Sequence, residues 1–128
     1  MPLWEEYKSQ AKARGALAME LFVVHSSPAA DMELVKATLP AHLDYQKKME
    51  AEGTLVMAGP VSDESGERMD AEGMIIYRAA DLAAASAIAE ADPMHAAGAR
   101  TFKVRKWLVN EGSLGFTVSL SSQTVTLP

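Results

Sequence analysis

The chain has 128 residues, 48% of them hydrophobic and 23% charged, with a formal net charge of −5 and no cysteine. That length suits a single domain able to bury its own core. The lack of Cys excludes a disulfide framework, a thiolate zinc site and a Cys nucleophile, and the acidic balance without any Lys/Arg run argues against nucleic acid as a partner.

The N-terminus, Met1-Pro2-Leu3-Trp4-Glu5-Glu6, has neither the basic start nor the apolar core of a secretory signal. No apolar run approaches the roughly 18 residues of a membrane span, so no membrane is expected and the expected location is the cytoplasm. Pro2 to Arg14 reads as a short helix, with Leu3, Trp4, Tyr7 and Ala11 at helical spacing and Gly15 as its stop. It precedes the main pattern and reads as an appended arm.

Leu17 to Val24 reads as a strand, with Met19, Leu21 and Val23 on one face and Ala18, Phe22 and Val24 on the other, Glu20 excepted, and Ser26-Ser27-Pro28 closes it. Asp31 to Gly53 is helical, with a break expected near Pro40, because proline lacks the amide donor and clashes with the preceding turn. Leu55 to Ala58 is a second strand, ended by Gly59-Pro60, and the acidic stretch Asp63–Glu72 reads as a solvated loop. Met74 to Tyr77 is a third strand. Asp81 caps an alanine-rich helix that runs to about Ala91, and Thr101 to Val109 is a fourth strand. In the tail, Leu114, Phe116, Val118 and Leu120 alternate with small polar residues, which predicts a hairpin or strand extension.

The order is β-α-β-β-α-β, the ferredoxin-like α+β plan. A single domain is expected over residues 1–128, with 1–16 as a helical arm and 110–128 as a strand extension. The second and third strands are apolar on both sides, and two helices cover only one face of a four-stranded sheet. Such sheets need cover on both faces. A second copy of the chain supplies it economically, so a homodimer is expected.

Of the three histidines, His42 falls beside Leu39, Leu43, Gln46 and Met49 on a helical wheel. A titratable ring at the border of an inward face fits a pocket base, and equally a half-buried helix His bonded to a backbone carbonyl. Asp92 precedes Pro93, which fits a helix-ending turn. It also fits a carboxylate that orients an imidazole, since both helices of this plan lie on one face of the sheet. His25 ends the first strand. Asp92 and His95 have the i, i+3 spacing of metal ligands once and without support, so no metal and no cofactor is expected.

Three segments together, Leu39-Pro40-Ala41-His42-Leu43-Asp44-Tyr45, Ala58-Gly59-Pro60 and Ala91-Asp92-Pro93-Met94-His95-Ala96-Ala97-Gly98, give the chain its kinship. In this order and spacing it resembles the YCII-related family of dimeric α+β barrel proteins, from about Leu21 to Trp107. The resemblance implies a ferredoxin-like fold that dimerises through its sheets. It also implies that His42 and Asp92 meet as a catalytic pair in a cleft, and it favours the pocket reading of His42 over the bland one. Gly59, Pro60, Ser62 and Met94 are then expected to line the substrate site. Met94 stands where the family often has an aromatic residue.

The function expected is cofactor-free proton transfer, of lyase or isomerase type, on a small cyclic or aromatic compound. His42 would be the general acid and base and Asp92 its orienter. The alternative is a dimeric protein that binds a small ligand in the same cleft without turnover.

Overall fold

A computed structural model describes all 128 residues. Its elements are α1 (Trp4–Ala13), β1 (Met19–Pro28), α2 (Met32–Ala51), β2 (Leu55–Ser62), β3 (Met69–Tyr77), α3 (Leu82–Ala91), α4 (Pro93–Ala96), β4 (Arg100–Val109), β5 (Thr117–Ser119) and β6 (Thr124–Thr126). The chain divides into two compact units, Glu20–Trp107 and a second made of Met1–Met19 with Leu108–Pro128. No helix is long and apolar enough to cross a membrane.

The body, Glu20–Trp107, has the sheet order β2-β3-β1-β4. β1 and β2 both run antiparallel to β3, so the ferredoxin-like α+β plan is present. Register assigns the faces. Val24 lies opposite Ile75 and Phe22 opposite Tyr77, and Val24, Ile75 and Tyr77 join Met49 of α2 and Ala89 of α3 in the core. Val23 and Ile76 therefore point to the other face. Alanine at 85 and 89, both without exposed surface, lets α3 approach the sheet closely. Asp81 caps α3 by accepting the Ala84 N–H at 2.8 Å, and Asp31 caps α2 by accepting the Leu34 N–H at 3.1 Å.

Four boundaries differ from the sequence expectation. α2 does not break at Pro40; it is one helix from Met32 to Ala51. Proline removes the amide that the Lys36 carbonyl needs, but Pro40 is exposed, and water can take the place of that amide. β2 does not stop at Gly59-Pro60 but continues to Ser62. It is an edge strand, where a missing N–H costs no ladder bond if it faces solvent, and Pro60 sits opposite Gly73. β1 likewise runs through Ser26-Ser27-Pro28, and β3 begins at Met69, so the solvated loop expected at Asp63–Glu72 shrinks to a hairpin turn closed by the Asp63 N–H on the Arg68 carbonyl at 2.8 Å.

In the second unit, α1 ends at Ala13 with Arg14 as its cap, and Gly15 follows with φ +92°, the left-handed stop that glycine makes easily. The Leu17 N–H donates to the Asn110 carbonyl at 3.0 Å. The tail forms a hairpin, β5 paired with β6, as its alternation predicts.

Candidate active site

The fold brings one side of α2 from Met32 to Gln46, the middle of β2 and much of β3 around an open cavity of about 480 Å³ on the helix-covered side of the body. Its wall is mostly aliphatic, with Val35, Leu39, Leu43, Ile75 and Met94 among its residues. Polar groups at the wall are few: His42 and Gln46 from α2, Ser26 from β1, Arg100 from β4, Glu72 from β3 and Lys36. An apolar hollow with a few convergent polar groups is the usual form of a small-molecule site.

His42 comes from the middle of α2 and Asp92 from the residue between α3 and α4, fifty positions away. The His42 Nδ1 lies 2.8 Å from Asp92 Oδ1 and 2.9 Å from Oδ2. Asp92 has no exposed surface, and its Oδ1 also accepts the Met94 N–H at 3.0 Å, which caps α4. With the carboxylate accepting on both counts, Nδ1 carries the proton and donates. That leaves Nε2, at the far edge of the ring, as the basic nitrogen and without a protein partner. The His42 side chain keeps 19% of its surface, on the cavity side. A buried acceptor behind a solvent-edge imidazole fixes the tautomer and stabilises the imidazolium.

Two tyrosines lie near this carboxylate. Burial, and then the Asp92 charge, push both the Tyr77 and the Tyr45 hydroxyls above the usual phenol range. Tyr45 donates to the Ile88 carbonyl at 2.6 Å, whereas the buried Tyr77 hydroxyl has no partner.

Gly59, Pro60 and Met94 stand at the cavity wall with His42. Ser62 does not; its hydroxyl is exposed and donates to the Asp63 carbonyl at 2.8 Å. Asp92 is behind the wall rather than in it. His25 points to the opposite face of the sheet, in register with Met74, and is exposed.

Sequence reasoning missed a second polar group at the wall. His95 sets its Nδ1 at 2.6 Å from the Ala89 carbonyl and its Nε2 at 2.8 Å from the Ser26 hydroxyl. The Ser26 oxygen also accepts the Arg100 Nε–H at 2.8 Å. The available signal was the alternation of β4, in which Arg100 shares the inward face of Phe102 and Val104. A charged residue at an inward strand position needs a reason.

No curated protein matches the chain significantly. Among solved structures, the fold is similar to 5-chloro-2-hydroxyhydroquinone dehydrochlorinase (TftG) from Burkholderia phenoliruptrix AC1100, determined in complex with 2,5-dihydroxybenzoquinone. The similarity has a TM-score of 0.54 at 19% identity and covers 70% of this chain and 93% of that one. The YCII-related domain matches residues 19–108, seven-tenths of the sequence, and the chain belongs to the YCII-related family.

Proposed function

We propose that the protein is a small-molecule enzyme that moves a proton on a cyclic or aromatic carbonyl compound without a cofactor, with His42 as base and acid. The observation that carries this reading is the imidazole whose Nδ1 is bound by the fully buried Asp92 while the ring borders an apolar cavity. In the reaction, Nε2 takes a proton from the carbon beside the carbonyl, and the electron pair of that C–H bond moves into the carbonyl as an enolate. Asp92 stabilises the imidazolium so formed. Return of the proton to another atom gives an isomerase; departure of a leaving group from the neighbouring carbon gives a lyase.

Gly59, Pro60 and Met94 shape the pocket in this reading. The dehydrochlorinase of similar fold, solved with a dihydroxyquinone, supports a substrate of that general size and class. A homodimer belongs to the same proposal.

The test is proton exchange in heavy water on cyclohexane-1,2-dione and on hydroxylated quinones, followed by NMR. The wild type should speed exchange of the acidic carbon-bound proton, and His42→Ala should lose about 10²–10⁴ of that acceleration. If His42→Ala exchanges as fast as the folded wild type, the assignment fails.

A further inference from the structure

We propose that Arg100, presented by Ser26, is a binding residue for an anionic oxygen of the ligand, so the cavity takes cyclic or aromatic compounds that carry an ionised carboxyl or enol group. This rests on the reading of the cavity as the ligand site, and it adds what that ligand must carry.

Arg100 is partly buried at the cavity wall, and its three hydrogen bonds all go to uncharged acceptors: Nε to the Ser26 hydroxyl at 2.8 Å, Nη2 to the Ser26 carbonyl at 2.7 Å and Nη2 to the Ala71 carbonyl. No carboxylate pairs with it. These contacts use the Nε hydrogen and both Nη2 hydrogens, and leave the two on Nη1 without a protein acceptor. A half-buried guanidinium is ordinarily matched by a carboxylate, because burying an unpaired charge is costly. Here the counter-charge is missing from a chain that carries five net negative charges and could easily have supplied one. Around the cavity itself the balance is reversed, with Arg100 and Lys36 against Glu72 alone. Glu72 is engaged elsewhere, accepting the Ser27 hydroxyl at 2.6 Å.

The guanidinium is also held in one orientation. The Ala89 carbonyl can only accept, so His95 donates from Nδ1 and, when neutral, offers Nε2 as an acceptor to the Ser26 hydroxyl. That turns a lone pair of the Ser26 oxygen toward the Arg100 Nε–H. On the other side, Ala71 is held at φ +60°, a left-handed conformation uncommon for a residue with a side chain, and its carbonyl is the one that accepts from Nη2. Strain of this kind persists where the surroundings impose it. The short turn α4 thus supports both polar ends of the cavity, Asp92 behind His42 and His95 behind Ser26.

Paired probes test this by titration of the wild type, followed through the amide and guanidinium NMR resonances of Ser26, Gly73 and Arg100. The anions are benzoate and 4-nitrophenolate at mildly alkaline pH; benzamide and 4-nitroanisole are their neutral counterparts. At least one anion should bind about tenfold or more tightly than its neutral counterpart, the margin expected of a charge-assisted contact. Whichever anion shows the preference identifies the carboxylate or the enolate-like oxygen. Arg100→Met, which keeps the apolar stem, should abolish the preference, and a preference that survives this change in a folded variant overturns the assignment to Arg100. Equal binding of anion and neutral partner by the wild type overturns this proposal and leaves the pocket assignment standing. No binding of any probe at millimolar concentration overturns both. The wild-type comparison decides even if Arg100→Met does not fold.

Discussion

Asp92 accepts the Nδ1–H of His42 through both carboxylate oxygens, at 2.8 and 2.9 Å, while it shows no surface to solvent. Its third bond, from the Met94 N–H, starts α4. Asp92→Ala would therefore strand two donors at once, and the expected loss of stability is about 1–3 kcal/mol for each that finds no water. Asp92→Asn keeps the volume and one acceptor oxygen, so it should unfold closer to the wild type. Urea titration gives the energies. The imidazole nitrogen resonances of His42 give the tautomer, which should become mixed in Asp92→Ala. If that variant keeps the wild-type stability and a single tautomer, the pair does not have the role assigned to it.

Pro40 stands inside α2, two residues before His42. An exposed helix-interior proline costs on the order of 3 kcal/mol relative to alanine where nothing compensates. Pro40→Ala restores an amide for the Lys36 carbonyl and should raise thermal stability, with a gain of about 1 kcal/mol or more. A fall in the melting temperature would show that the proline ring itself is needed to set the path of α2.

The element order was legible because each segment carries a local signal. Leu17–Val24 is a short apolar run closed by turn residues, Thr101–Val109 begins with an alternation, and the Ala-rich stretch after Asp81 begins with a capping residue. Boundaries at Pro40 and Gly59-Pro60 were not, since whether proline ends an element depends on what lies next to it in space. An exposed helix flank and an edge strand both tolerate it. The site divides in the same way. His42 and Asp92 could be nominated from residue type and family pattern, but their contact spans fifty positions. The Ser26–His95–Arg100 group bridges β1, α4 and β4 through single hydrogen bonds that leave no periodic trace, and Ser26 and Arg100 both fell outside the strands read from sequence.

Tyr77 gives a pH-dependent prediction. Its hydroxyl is buried without a partner, and burial followed by the Asp92 charge raises its titration above that of a free phenol; Tyr45 shifts the same way for the same first cause. In the unfolded chain a tyrosine ionises near pH 10. Above that pH the unfolded state loses protons that the folded state retains, so stability is full below about pH 10 and falls as pH rises beyond it. Tyr77→Phe removes one of the two contributors and should delay alkaline unfolding. At neutral pH the change should be neutral or stabilising, because no hydrogen bond is lost. Urea midpoints at neutral and alkaline pH check both statements, and a large neutral-pH loss would reveal a partner for the hydroxyl.

The second face of the sheet tests the proposed homodimer. Leu21, Val23 and Ile76 lie on it and are each under 10% exposed within one chain, so less of this face awaits cover than strand composition suggests. Apolar residues there that stay open include Met57, 52% exposed and opposite Ile76 on the edge strand, and Trp107 of β4, 42% exposed. If a second copy packs on this face, Met57→Asp places a charge in the contact without disturbing the core between sheet and helices. The wild type should then sediment as a dimer at micromolar concentration, and the variant as a folded monomer. Thermal stability of the wild type, but not of the variant, should rise with protein concentration, since association stabilises by mass action. A wild type that is monomeric at micromolar concentration, with a melting temperature independent of concentration, would rule this dimer out.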